Sequence, residues 1–362
     1  MPYGDWLYGE TCYGESCGAP TNRTAQGLIF DRAGRLLAEI EPDLQSVSWR
    51  LNRVGKAKFS MATSDPKCTP DNLRPGNRIL ISFANGLPAW GGVISLPRRR
   101  EPGRITVTAY TGEKLLDYRV TAKSRYFDQA QPGYIFQTLI QEANAVWQTG
   151  IEIGNVWLGG TPRTIECHYT NILWRIRKLA SLTGHDFAIL PEYANGTLKF
   201  KAYWWERRGD DIQNSVWLIE GANVAGDPIL DEQGPIANHV VLAAQGNTWG
   251  DERLTATEQD NESINEYGYR EYAEVTSVKD QATLDANAEE VLATMAWPRN
   301  RITLSATDES PARFADYNVG DIVTVHLFLS DGDWAFDAAV RVIGREWRPD
   351  NTCRLEVEEW LS

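Results

Sequence analysis

Leu73-Arg74-Pro75-Gly76-Asn77-Arg78-Ile79-Leu80-Ile81-Ser82-Phe83 decides the reading of this chain, because a version of it returns as Tyr317-Asn318-Val319-Gly320-Asp321-Ile322-Val323-Thr324-Val325-His326-Leu327. In each copy a short turn, Pro75-Gly76-Asn77 or Val319-Gly320-Asp321, lets glycine take positive φ and feeds an alternating run. The inward sets are Ile79, Ile81 and Phe83 in the first and Val323, Val325 and Leu327 in the second. Such alternation predicts a half-buried antiparallel strand starting from a tight turn. The downstream segments match as well: Trp90 to Ser95 and Ile105 to Tyr110 after the first, Ala339 to Gly344 and Cys353 to Glu358 after the second. Each module is expected to hold at least three short strands in a small barrel or curled sheet. Order, spacing and turn chemistry agree while few identities do, which reads as a duplication.

At 362 residues the chain has room for two or three domains. No apolar run is long enough for a membrane span, and the N-terminus lacks a basic region followed by an apolar segment, so neither a span nor a secretory signal is expected. Five cysteines, an odd and sparse set, argue against a disulfide scaffold and fit synthesis in a reducing compartment. Fourteen tryptophans are many, and their area wants burial in a core or between subunits.

The net charge of −13 is unevenly placed. Residues 1–130 carry 18 Lys+Arg and 13 Asp+Glu, a net +5, whereas residues 131–362 carry 18 and 36, a net −18. The acidic portion should repel nucleic acid and anionic membrane. It is either a solvated surface or one half of a complementarity between unlike modules of neighbouring copies in a head-to-tail interface.

In chain order, residues 1–26 form a Tyr/Gly-rich arm with a five-residue period, in which Tyr3, Tyr8 and Tyr13 are candidate contacts to a neighbouring subunit. Residues 27–120 form the first β module, in which Arg98-Arg99-Arg100 and Arg104 flank a Pro-Gly turn and read as a solvated loop. Residues 121–234 form an α+β domain. Pro132 opens one helix, a second runs from a cap at Asn171 to Gly184, and two strands are joined at Asn195-Gly196. Residues 235–362 form the second β module, opening at Asn238 to Ala243, with an acidic segment and a helix inserted at about 251–298. The expected class is α+β, mainly β: two similar small β-barrel modules, an intervening α+β domain and a helical insertion in the second module.

No convincing active site emerges. Gly14-Glu15-Ser16-Cys17-Gly18 matches a nucleophile-elbow pattern but lacks the strand before and helix after that would hold the serine. Cys12 and Cys17 could close a loop, yet no second Cys/His pair has metal-ligand spacing. His168, His185, His239 and His326 are scattered, and Asp331-Gly332-Asp333 reads as a hairpin turn. Glu206, Asp210 and Asp211 come soon after Trp204-Trp205, which leaves a glycosidase or a glycan-stacking surface as an alternative. No catalytic, cofactor or metal residue is expected.

The Pro75-Gly76-Asn77 and Val319-Gly320-Asp321 turns, Trp90-Gly91-Gly92-Val93-Ile94, the helix start Gln131 to Ile135, Asn171 to Gly184 with Asp186-Phe187, Asn238 to Val241, and Ser263 to Gly268 occur in an order that resembles the hub proteins of phage tails, in baseplates, tail tips and contractile injection systems. The resemblance covers nearly the whole chain from about residue 27. It implies a virion protein that is not an enzyme, forms a homotrimer with a pseudo-six-fold ring, and takes no cofactor. Its implied partners are the tail tube or a distal tail protein on one side and a spike or fibre on the other, with tape-measure protein and DNA as channel passengers. A carbohydrate-binding or carbohydrate-active tail protein using Trp204 and Trp205 is the alternative, and a tail-associated peptidase a third possibility. No fused lytic domain is expected beyond the last strand.

Overall fold

The computed structural model describes residues 25–234, 236–244, 253–276, 278, 280–328 and 335–360. Tyr3, Tyr8, Tyr13, Cys12, Cys17, the Gly14 to Gly18 motif and Asp331-Gly332-Asp333 lie outside the described residues.

The chain begins with β1 (Ala25–Phe30), β2 (Leu36–Ile40), β3 (Asp43–Arg50), β4 (Lys56–Ala62), β5 (Arg78–Phe83), β6 (Trp90–Glu101) and β7 (Arg104–Thr111). It continues through α1 (Lys114–Asp117), β8 (Arg125–Ala130), α2 (Pro132–Val146), β9 (Ile151–Val156), β10 (Arg163–Cys167), α3 (Ile172–Thr183), β11 (Asp186–Ala194) and β12 (Thr197–Trp205). Next come β13 (Trp217–Ile219), β14 (Val224–Gln233), β15 (His239–Ala244), β16 (Thr255–Gln259), α4 (Asn261–Tyr267), β17 (Glu271–Thr276) and α5 (Gln281–Met295). The last strands are β18 (Arg299–Thr307), β19 (Ile322–Leu327), β20 (Phe336–Trp347) and β21 (Thr352–Glu359).

Within one 13-stranded sheet the path β3-β4-β7-β6-β5 is repeated as β14-β18-β21-β20-β19. The register repeats too. Arg78 faces Val93 and Ile79 faces Gly92 in the first copy, as Ile322 faces Arg341 and Val323 faces Val340 in the second. Even the irregularities recur: β3 and β14 are each bulged against their partner, as are β6 and β20. The alternating sets Ile79, Ile81, Phe83 and Val323, Val325, Leu327 are all buried, in one continuous core that spans both copies. The two modules are therefore not separate sheets. β3 pairs antiparallel with β20, and the sheet runs unbroken from β14 to β2.

Three local assignments differ from the sequence reading. Arg98 to Arg100 are strand, not loop, because β6 is 12 residues long and carries them out along its second half. The second copy opens on β14, whose bulge between Ala225 and Ile229 breaks the period that alternation depends on. The strand at His239 belongs instead to a small sheet, β16-β15-β17, which packs on α5 around Val240, Leu242 and Leu284. Within that unit the polar stretch at Ser263 is helical: Asp260 caps α4 by accepting from Glu262 and Ser263 N–H groups.

Between the copies, α2 and α3 pack with the sheet β11-β12-β9 around Phe136, Ile176, Phe187 and Trp204. Asn171 caps α3 through an Oδ1 that accepts from Trp174 N–H at 2.9 Å, and Gly184 ends it at φ 64°. The hairpin at Asn195-Gly196 has φ of 52° and 75°, the left-handed pair of a type I′ turn.

Candidate functional site

The two turns that open β5 and β19 share their backbone hydrogen bonds. Gly76 N–H donates to the Ile94 carbonyl at 2.8 Å, and Asn77 O accepts from Ile94 N–H at 2.8 Å. In the second copy Gly320 N–H donates to Val342 O at 2.8 Å, and Asp321 O accepts from Val342 N–H at 2.9 Å. The glycines sit at φ 95° and 108°, which a side chain would strain. The next residue locks each turn from within. Asn77 donates through Nδ2 to Asp71 O at 2.7 Å and Asn72 O at 3.0 Å, while the Asp321 carboxylate accepts from Asn318 N–H at 2.7 Å and Asp210 N–H at 2.9 Å. Burial pushes the Asp321 carboxyl up, against those two backbone donors. Val319 is buried in the core, and Pro75 O accepts from the Arg32 guanidinium at 3.0 Å.

The copies meet at a seam. Val47, Ser48, Trp49 and Arg50 of β3 stand opposite Trp347, Glu346, Arg345 and Gly344 of β20. Phe83 bridges the seam between Trp49 and Trp347, with ring centroids 5.7 and 5.8 Å away. Arg50 forms an ion pair with Glu356 of β21. Arg345 is 1% exposed, donating to Tyr317 O and Phe314 O at 2.8 Å each, with its guanidinium over both rings.

A second junction ties the α+β unit to both copies. Asp186 accepts from Asn52 Nδ2 at 2.9 Å and Arg208 N–H at 2.8 Å, and pairs with the Arg341 guanidinium. Gly91 lies so close to Pro191 that a Cβ there would sit 2.3 Å from the proline ring.

Glu206, Asp210 and Asp211 are exposed. Trp204 has no exposed surface and packs against Phe136 and Phe187, so its ring offers no face to a sugar. Trp205 is half-buried, stacked on Tyr203 at 5.3 Å with Arg208 over it. Burial pushes the Cys167 and Cys353 thiols up, the opposite of an activated nucleophile. Burial holds His185 below the ordinary histidine value, with Trp157 and Trp204 edge-on to its ring. One contact was not legible beforehand. Nδ1 of His168 lies 2.9 Å from Ser124 Oγ, and its Nε2 lies 3.2 Å from Glu166, on open surface with the imidazole 61% exposed. Among the described residues no His/Cys/Asp/Glu group could hold a metal ion, and no helix is long and apolar enough to cross a membrane.

Residues 229–358 match the family model described as prophage endopeptidase tail. Among solved structures, the 43 kDa tail protein of prophage MuSo2 from Shewanella oneidensis is similar at 12% identity and a TM-score of 0.60, over 92% of this chain and 98% of that one. A tail protein from Neisseria meningitidis MC58 is similar at 14% identity and a TM-score of 0.60, over 93% and 97%. The prophage tail protein gp18 of Listeria monocytogenes is similar at 11% and a TM-score of 0.58, over 92% and 94%. No curated protein matches the chain. The resemblance to phage tail proteins is thus borne out: the chain has their fold, α+β and mainly β, over more than nine tenths of its length.

Proposed function

We propose that the chain is a structural, non-enzymatic hub of a phage tail baseplate or tail tip, in which three copies set six similar modules around an axial channel. One observation carries this reading: a five-strand path occurs twice in a single chain, in the same order, register and turn chemistry. Three such chains offer six similar edges, so the ring can meet a hexameric tail tube or distal tail protein on one side. The α+β unit and the β15 to α5 unit occur once per chain and would obey three-fold symmetry, suited to a spike or fibre on the other side. Tape-measure protein and DNA would pass through the channel, and the net −18 of residues 131–362 would keep DNA from adhering to an acidic lumen. Such a protein belongs in the virion.

The word endopeptidase in the matched family's description makes a hydrolase the competing class. The buried, raised thiols of Cys167 and Cys353 do not favour it, and the Ser124–His168–Glu166 contact sits in water, where no fixed dipoles or dry walls strengthen it. The glycan alternative loses its principal residue with the burial of Trp204.

The solution mass of the purified chain by light scattering, together with negative-stain class averages, tests the hub. A species near three times 40.7 kDa with a ring-shaped projection and a central hole is expected. A compact monomer at high concentration with no ring would overturn the reading.

A further inference from the structure

The intramolecular seam specifies an intermolecular one. β3 has two partners, β4 on one side and the second half of β20 on the other. Its counterpart in the second copy, β14, has β18 on one side and, among the described residues, no strand on the other. The counterpart of β20 is β6, whose second half, among the described residues, pairs with β7 alone. Each chain thus shows one filled seam and the two unfilled halves of a second.

We propose that β14 of one copy pairs antiparallel with the second half of β6 in the next copy, in the register that β3 and β20 already use. This rests on the hub reading and adds the surface that closes the ring. Ladder equivalence fixes the pairs. Leu230 faces Ile302 as Val47 faces Ala57, and Ile302 and Ala57 face Val357 and Ala109. Asp231 and Glu232 therefore stand where Ser48 and Trp49 stand. On the other strand, Arg99 faces Thr106 as Glu346 faces Arg354, so Arg99 occupies the place of Glu346 and Arg98 that of Arg345. Ser48 and Trp49 face Glu346 and Arg345 in the filled seam. In the empty one, Asp231 meets Arg99 and Glu232 meets Arg98.

The chemistry agrees with a register derived without it. Asp231 and Glu232 are exposed on one edge; Arg99 and Arg100 are exposed on the other. Opposite charges directly across an antiparallel pair stabilise it. In the single chain Arg98 donates to Leu73 O at 2.7 Å, and Arg99 pairs with Glu101 at 2.8 Å in full view of solvent, a weak contact to exchange. Within the chain Asp231 already faces Arg301, which faces Glu358, which faces Arg341. Adding Arg99 extends an alternating row of charge across the boundary. A bare edge of this length is otherwise an invitation to non-specific pairing, and a head-to-tail joint between unlike edges closes a ring only when the rotation permits.

The test is a chain carrying both Arg99→Cys and Asp231→Cys, oxidised and run on non-reducing gels, with each single variant as control. Directly opposed residues have Cβ atoms about 4.5–5.5 Å apart, close enough for a disulfide after a small shift. A covalent trimer from the double variant alone is expected. A parent that scatters as a trimer while the double variant stays uncrosslinked overturns this pairing and leaves the hub standing. A parent that stays monomeric, with no crosslink, overturns both. A charge exchange checks the result without new thiols. Arg99→Asp alone should raise the dissociation midpoint of the trimer roughly tenfold, by placing like charges face to face. Adding Asp231→Arg to it should restore the parent value. An Arg99→Asp trimer as tight as the parent would also overturn the pairing.

Discussion

Arg341 of β20 reaches Asp186 of β11, and the carboxylate that receives it is 1% exposed. That pair joins the second β copy to the α+β unit, while Asn52 of the first copy binds the same carboxylate. Asp186→Ala leaves a guanidinium only 13% exposed without its counterion and should cost about 3–5 kcal/mol. Asp186→Asn keeps an acceptor for Asn52 and should cost less. Urea denaturation of the two variants checks the ranking, and equal losses would show that the hydrogen bond to Asn52 contributes little beside the lost charge.

The two turn glycines should differ in sensitivity although their backbones match. At Gly320 a Cβ would lie 2.7 Å from the Arg208 carbonyl, which is backbone and cannot yield; at Gly76 it would meet the flexible end of Arg32 at 2.6 Å. Gly320→Ala should therefore exceed the about 1–3 kcal/mol of the left-handed backbone penalty, and Gly76→Ala should stay within it. Thermal unfolding of both variants decides this, and the reverse order would refute it.

Glu113 supplies a pH signature. It is buried, and burial raises its carboxyl while Ile189 N–H, donating to it at 2.8 Å, works the other way. A carboxyl raised in the folded state contributes stability that is complete below its unfolded value and is lost as pH rises through the folded one. Glu113→Gln removes that titration. The Tm difference, variant minus parent, should grow more positive from about pH 4 to about pH 8. A difference that does not change with pH would assign the slope elsewhere.

Trp204→Ala should act on folding and not on glycan binding. Removing a fully buried indole costs about 3–5 kcal/mol, whereas Trp205→Ala, at a half-buried position, should cost clearly less. Retention on a glycan column that falls for the Trp205 variant while its Tm is unchanged would revive the carbohydrate reading.

Range along the chain separates the features that were legible in the sequence from those that were not. The turns at Gly76 and Gly320 were legible because a positive-φ glycine leading into alternation is a local signal. The caps at Asn171 and Gly184 were legible for the same reason. The pairing of Val47 to Arg50 with Gly344 to Trp347 left no trace, since strands so distant along the chain share no local pattern. β14 hid behind Gly226 and Pro228, and Arg98 to Arg100 resembled a loop because they and Arg104 flank the Pro102-Gly103 turn. The burial of Trp204 could have been read. It shares its parity with Phe200 and Ala202, which are also buried, while Tyr203 and Trp205 alternate to the other face.

The seam between β3 and β20 has an evolutionary consequence. Six identical subunits in a ring must each carry both halves of every joint on one sequence, so a change to either half is felt six times. In the ring proposed above, placing two modules on one polypeptide would make half of the joints permanent and leave the others free to acquire their own residues. The permanent joint here is filled with Trp49, Phe83, Trp347 and a sequestered Arg345. The edges left over carry Arg98 to Arg100 and Asp231-Glu232. In the proposed trimer, fusion would also leave three bodies to bring together instead of six, and so fewer rotations and translations to surrender on assembly. In that ring, two edges of opposite charge would disfavour a head-to-head joint.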